Sequence, residues 1–388
     1  MWTRAHTPLA WLKFTHRKTR LLAATCGVAF AVVLMFLEMG FLNCMLDSQT
    51  NVVKMLNADL IMIHQQKQAV VPQMPFPKKR LVQARADPGI CAAYPLYVEE
   101  LHGVWKNARD KHEHPILVYG IDPHDPVFLI PEVAEQQVRL KLPDTALIDS
   151  RSKDFYGDRG PGSTAELAHH AVQVVGTFPL GPDFRADGNL IVSTRTFFKC
   201  FASSRTAASA AAKVEVGLLK VTPGADVLAV RASLQEALPG DVRILTKQEF
   251  IDQVATFWAT SKPAGKLFGL GMLVGFFIGV TICYQILFTD IMDHLPQYAA
   301  LKAIGYSNGF LIKVVLQEAF YLAVAAFLVG LPVSVGLYAT VHAVSGLLLQ
   351  LTPGRVLLVF VLTVPMCLLS GAIALRKVIR SDPAEVFA

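Results

Sequence analysis

The chain has 388 residues, 53% of them hydrophobic and 17% charged, with a formal net charge of +6. Soluble domains carry about 25% charged residues. The deficit is concentrated in a few long apolar runs, so the composition excludes an ordinary soluble protein and predicts a membrane protein with a soluble insert.

Residues 1–20 hold Arg4, Lys13, Arg17, Lys18 and Arg20 and no acid. A first apolar span follows at 21–46, with Glu38 as its one charged residue. At about 1.5 Å per residue it exceeds the ~30 Å hydrocarbon core. Ala29-Phe30-Ala31 resembles a signal-peptide cleavage site, but the apolar run continues well past it, which predicts an uncleaved anchor. Residues 47–263 are polar enough and long enough for a folded core of their own. Three further spans are predicted at 267–291, 312–336 and 356–375, the third with an apolar extension toward Leu351. A tail at 376–388 opens with Arg376, Lys377 and Arg380. With four spans, the basic N-terminus, the basic tail and Lys302 and Lys313 fall on one side, which the positive-inside rule makes cytoplasmic. The large insert then lies outside the cytoplasm.

Within the insert, strands are predicted at 58–64, 116–121, 172–178, 190–194 and 214–221. The last leads into a helix at 226–238, capped by Thr222 or Asp226 and stopped by Pro239-Gly240, and then a strand at 242–245. Residues 71–80, with three prolines, predict an extended loop. Residues 47–57 continue the first span without Gly or Pro. Residues 247–261 place Phe250, Ile251, Val254, Phe257 and Trp258 at helical spacing. Both flanks therefore predict helices leaving the membrane as a stalk. The plainer alternative is a pair of juxtamembrane helices with Trp258 as an interfacial anchor.

No reactive constellation stands out. There is no GxxxxGK[ST], GxSxG or HExxH, so no ATP is expected on this chain and no enzymatic activity of its own. His112 and His114 sit in a polar loop-like stretch, and His169-His170 points two rings in different directions, a poor geometry for one ion. No metal is expected. Cys91 and Cys200 lie in the polar insert and leave one disulfide open. Gly271, Gly275 and Gly279 form GxxxGxxxG in the second span, a seam for a second helix either across a dimer or within one subunit. Glu38, Asp290 and Glu318 touch the spans, where charge is costly, and so are functional candidates, with an interface position as the alternative.

The joint at 293–309 is unlike a linker. Pro296 can open a helix, Tyr298, Leu301 and Ile304 or Gly305 recur at helical spacing, and Gly305 with Ser307-Asn308-Gly309 can end it. Such a short helix either rests on lipid or seats in a groove of a partner. YAALKAIGYSNGFL at 298–311 resembles the joint of FtsX/MacB-type permeases of ABC transporters, which carries E-x-(A/G)-x-(L/R)-(K/R)-A-(I/M/L)-G after the second span. YQILFTDIMDHLPQYAALKAIGY at 284–306 resembles the DevC subfamily, the permeases of DevBCA-type exporters. GVAFAVVLMFLEMGF at 27–41 and DPAEVF at 382–387 resemble the same subfamily. Gln297 stands where an acid often precedes Tyr298, and Glu38 where the subfamily commonly has Gln.

The resemblance implies a MacB/FtsX-like fold: four transmembrane helices with a large mixed α/β extracytoplasmic domain between helices 1 and 2. It implies a multi-pass protein of the bacterial inner membrane with both termini cytoplasmic. ATP and Mg would sit on a separate ABC ATP-binding subunit, met through His294, Pro296, Tyr298, Leu301, Lys302, Ile304, Gly305 and Tyr306. Further implied partners are a second copy of the chain, membrane lipid, a periplasmic membrane-fusion adaptor and a TolC-like outer-membrane channel, with no nucleic acid. The implied work is export of a lipid-like or other hydrophobic cargo. Within the same resemblance, lipoprotein extraction of the LolC/E kind and FtsX-like regulation of a periplasmic hydrolase remain alternatives.

Overall fold

The computed structural model describes residues 18–71, 73–107, 112–201, 212–297, 304–347 and 349–380. They fall into two units, one of Met1–Cys44 with Ala264–Ala388 and one of Met45–Pro263. The first unit is built of long apolar helices. Helix α1 (Lys18–Met55) begins in it and ends in the second unit. Three later helices complete it, here called the second, third and fourth spans: Pro263–Asp293, Asn308–Ser345 and Pro353–Arg380. Each of the four contains a stretch apolar and long enough to cross a membrane, the shortest being Pro353–Arg376 with 24 residues. At about 1.5 Å per residue that stretch still covers a ~30 Å core. Their shared interior holds Met35, Phe36, Cys283, Leu287, Val315, Ala319, Leu322 and Met366. The third span continues past residue 336 to Ser345, where Gly346 takes a left-handed cap, so the extension toward Leu351 is helical only as far as 345.

The inserted unit is mixed α/β, as the composition and strand pattern predict. Its strands are β1 (Leu60–His64), β2 (Phe76–Pro77), β3 (Ile90–Glu99), β4 (Val104–Asn107), β5 (His114–Pro115), β6 (Leu117–Ile121), β7 (Thr145–Asp149), β8 (Thr164–Leu167), β9 (His170–Phe178), β10 (Asn189–Ser193), β11 (Lys213–Val214), β12 (Val216–Val221) and β13 (Val242–Thr246). Eleven of these form one sheet in the order β13-β1-β12-β3-β6-β10-β7-β9-β8-β4-β5, while β2 pairs with β11. The pairings are antiparallel except β6 with β10 and β7 with β9. Helices α2 (Lys79–Arg85), α3 (Pro131–Gln136), α4 (Thr194–Phe201), α5 (Val227–Ala237) and α6 (Lys247–Thr260) connect and cover the strands. Leu60 and Met62 of β1, Ile244 of β13, Leu81 of α2 and Leu234 of α5 share one core. The span helices are numbered on from there: α7 (Pro263–Asp293), α8 (Asn308–Ser345) and α9 (Pro353–Arg380).

Local chemistry explains most of these elements. The Asp226 carboxylate accepts from Leu228 N at 2.9 Å and starts α5. Thr246 and Glu249 form a reciprocal capping box that starts α6, whose buried Phe250, Val254 and Trp258 recur at helical spacing. The stretch 214–221 is not one strand. Glu215 breaks it, its carboxylate buried 3.7 Å from the buried Lys67 ammonium. The stretch 71–80 is not wholly an extended loop either, because β2 and the start of α2 fall inside it.

Candidate functional site

The candidates in the apolar helices sort into a packed seam and a polar end. On α7, Gly271, Gly275 and Gly279 recur every four residues and so share one face. That face meets α1 of the same chain. A Cβ at Gly271 would stand 2.5 Å from the Glu38 carboxyl carbon, and one at Gly275 would stand 3.6–3.8 Å from Met35 and Leu34. A Cβ at Gly279 would stand 2.9 Å from the Ala31 Cβ and collide with the Met366 sulfur of α9. The contacts run down α7 as they run up α1, so the two helices are antiparallel along a seam that only small residues permit. Of the two roles open to this motif, packing within the subunit is the one these contacts supply. Glu38 is half-buried, with its carboxylate against the backbone of Gly271 on the neighbouring helix.

Two further contacts tie the bundle. The Tyr338 hydroxyl of α8 donates to Phe36 O of α1, over Gly40. The Ser370 hydroxyl of α9 lies within hydrogen-bond distance of Val280 O of α7 at 2.9 Å and of Met366 O of its own helix at 2.7 Å. Sequence periodicity alone does not reveal either, because a Ser in an apolar run bonds within its own helix as readily as across a seam, and nothing local says which helix a Tyr hydroxyl will reach. Glu318, on α8, is 5% exposed beside Ala319 and Leu322 of the shared interior. It is a buried group of the bundle.

At the end of α7, Asp290 and His294 lie one helical turn apart. His294 Nδ1 is 2.8 Å from Asp290 O and 3.5 Å from an Asp290 carboxylate oxygen. Pro296 is exposed in a helical stretch at 295–297. Tyr298, Leu301 and Lys302, with the centre of the joint at 298–303, lie outside the described residues. On the far side, Ile304 and Gly305 form a turn, and Gly305 has φ +102°, a conformation that an L side chain adopts only with strain. Ile304 is 76% exposed, and the exposed Tyr306 ring packs on Phe310 at 4.7 Å. Asp290, His294, Ile304 and Tyr306 thus flank the joint, whereas Glu38 and Glu318 belong to the bundle.

The remaining candidates hold no chemistry together. Cys91 is exposed on β3 and Cys200 is buried on α4, and both are free thiols, so no disulfide joins them. His169 sits at positive φ in the β8–β9 hairpin turn, and His114 stacks on Phe155 at 4.4 Å. Among the described residues no group of three His, Cys, Asp or Glu side chains is arranged to hold a metal ion.

Comparison with known proteins bears on the helical part. Residues 269–383 match the family model described as FtsX-like permease C-terminal. Among curated proteins, none matches the chain. In solved structures, the periplasmic region of MacB from Actinobacillus actinomycetemcomitans is similar at 11% identity and TM-score 0.36, covering 51% of this chain and 94% of that one. The extracellular domain of the noncanonic ABC-type transporter YknZ from Gram-positive bacteria is similar at 8% identity and TM-score 0.31, covering 49% and 99%. A domain of a permease protein from Porphyromonas gingivalis is similar at 14% identity and TM-score 0.32, covering 48% and 87%. Backbone overlaps this loose place no constraint on function. The family likeness of this chain therefore rests on residues 269–383, which contain α8, α9, nearly all of α7 and the joint and match the FtsX-like permease C-terminal family.

Proposed function

We propose that the chain is the permease subunit of an ABC-type exporter of the DevC kind, in the bacterial inner membrane with both termini cytoplasmic. The observation that carries the reading is the match of residues 269–383 to the FtsX-like permease C-terminal family, which includes the joint between the second and third spans. In this reading a separate ATP-binding subunit binds ATP and Mg and meets the joint at 293–309. Exposed Ile304 and Tyr306 beside the Gly305 turn support a protein contact there, because apolar side chains at a polar turn gain from being covered. Movement of the joint passes into the spans and then into the helical flanks 45–55 and 247–260, which act as a stalk. A homodimer, a membrane-fusion adaptor and a TolC-like channel complete the route for a lipid-like or other hydrophobic cargo.

The test is a deletion strain complemented by the wild type or by Leu301→Asp. Wild type restores a hydrophobic component of the outer-membrane or secreted lipid extract, and Leu301→Asp inserts normally but does not restore it. An extract unchanged by deletion contradicts export. Restoration by Leu301→Asp contradicts the joint as the coupling site.

A further inference from the structure

Loop 179–188, PLGPDFRADG, joins β9 to β10. Its own domain fixes its shape. The fully buried Asp149 carboxylate, at the end of β7, accepts from Leu180 N at 3.1 Å, Gly181 N at 2.6 Å, Arg151 N at 3.0 Å and Asn189 Nδ2 at 2.9 Å. The Asp183 carboxylate closes the next turn, one oxygen accepting from Arg185 N at 2.7 Å and Ala186 N at 2.8 Å. Charge-assisted bonds of this kind hold a loop more firmly than neutral ones.

The outward groups of the same loop reach two helices that lead toward the apolar spans. From α1, Asn51 Nδ2 donates to Leu180 O at 3.1 Å, and Gln49 Nε2 donates to the second Asp183 oxygen at 3.1 Å. From α6, the Trp258 ring faces the Arg185 guanidinium, 5.4 Å from the ring centroid. Arg185 is itself held by Glu100, just past β3, to which its Nε donates at 2.5 Å. The joint is not solid. A cavity of about 30 Å³, lined by Gln49, Asn51, Tyr119, Asp183 and Trp258 among others, lies inside it, and the buried Trp258 indole N–H meets no acceptor among the described residues. That space and that donor suit an ordered water. Polar, hydrated contacts exchange partners at small net loss, whereas an apolar core does not.

We propose that loop 179–188 is the clasp through which movement of α1 and α6 reaches β7 and β10, beyond the strands β1 and β13 that the chain itself joins to these helices, with Gln49, Asn51 and Arg185 as its positioning residues. The inference rests on reading the chain as a transmitter of a partner's ATP-driven movement.

The test is hydrogen exchange on the full chain in nanodiscs with its ATP-binding subunit, with and without Mg-ATP. Gln49→Met with Asn51→Leu removes the α1 donors, and Arg185→Gln removes the α6 contact. Without ATP, each variant is expected to exchange about tenfold faster at 179–188, as loss of these bonds implies, while β12 and β13 keep their protection. With ATP, wild type changes exchange at 45–55, 247–260, β7 and β10, and the variants lose the change at β7 and β10 while still hydrolysing ATP. Should a variant lose protection in β12 and β13, Gln49→Met alone and Arg185→Lys replace it. A β7 and β10 response that survives in the variants overturns the clasp. So does a wild type whose helices respond while β7 and β10 do not. A wild type with no response in either helix overturns the proposed function, and this inference with it.

Discussion

The Glu38 carboxylate against Gly271 is a close residue-scale contact between two apolar helices. Gly271→Leu is expected to overpack the α1–α7 seam by about 1–3 kcal/mol, read as a lowered unfolding midpoint in detergent. Gly275→Ala, whose new Cβ would meet only ordinary contacts at 3.6–3.8 Å, is expected to leave the midpoint unchanged. The glycine motif was legible because four-residue spacing of small side chains is itself the signal. Its partner was not, since nothing in α7 alone selects α1 over a second copy. A second residue-scale prediction concerns Glu249. The Arg231 guanidinium and then Thr246 N hold its carboxyl below the usual carboxylate range. A carboxyl depressed on folding stabilises above its unfolded pKa and loses that contribution as pH falls through the folded one. The stability gap between wild type and Glu249→Gln is therefore expected at neutral pH and closes in acid. A gap that persists well below pH ~4 contradicts the assignment.

At the scale of elements, α5 was legible with its Asp226 cap and α6 from the helical spacing of its apolar residues, whereas α2 and α3 start without a side-chain cap and were not legible. Thr246→Ala is expected to remove the capping box and cost about 0.5–2 kcal/mol, seen as faster amide exchange in the first turn of α6. Strands rich in β-branched residues, such as β10 and β12, were legible for the same local reason. β3 was not, because Pro95 argues against a strand inside a sheet. The register resolves the conflict. Residues 90–96 of β3 pair with β12, and the pairing with β6 begins only at Tyr97, so among the described pairings Pro95 faces a partner on one side alone. The strand β7 was not legible because Thr145–Asp149 ends in an acid that reads as solvent-exposed. Its Asp149 is buried because four donors surround it, which only the tertiary fold can bring together. The clasp loop was likewise opaque. Pro182-Asp183 signals a turn, but no local pattern says which helices the turn will meet.

On the scale of the whole molecule, four apolar helices with a large α/β insert after the first were legible from hydropathy and length. The sidedness drawn from basic residues has its own test. Cys91 is exposed on the inserted domain. A membrane-impermeant maleimide is expected to label it in cells with a permeabilised outer membrane, with the label lost in Cys91→Ser, and protection of Cys91 in intact inner membranes contradicts the orientation. The central claim is that the chain receives motion from a separate ATPase and passes it to the inserted domain. Its most direct test compares wild type with Lys302→Glu in the complex with the ATP-binding subunit, following ATP hydrolysis and ATP-dependent hydrogen exchange together. The account predicts that hydrolysis stays within about twofold while the response at 45–55 and 247–260 appears only in wild type. A full response in Lys302→Glu, or none in wild type while ATP is hydrolysed, contradicts it.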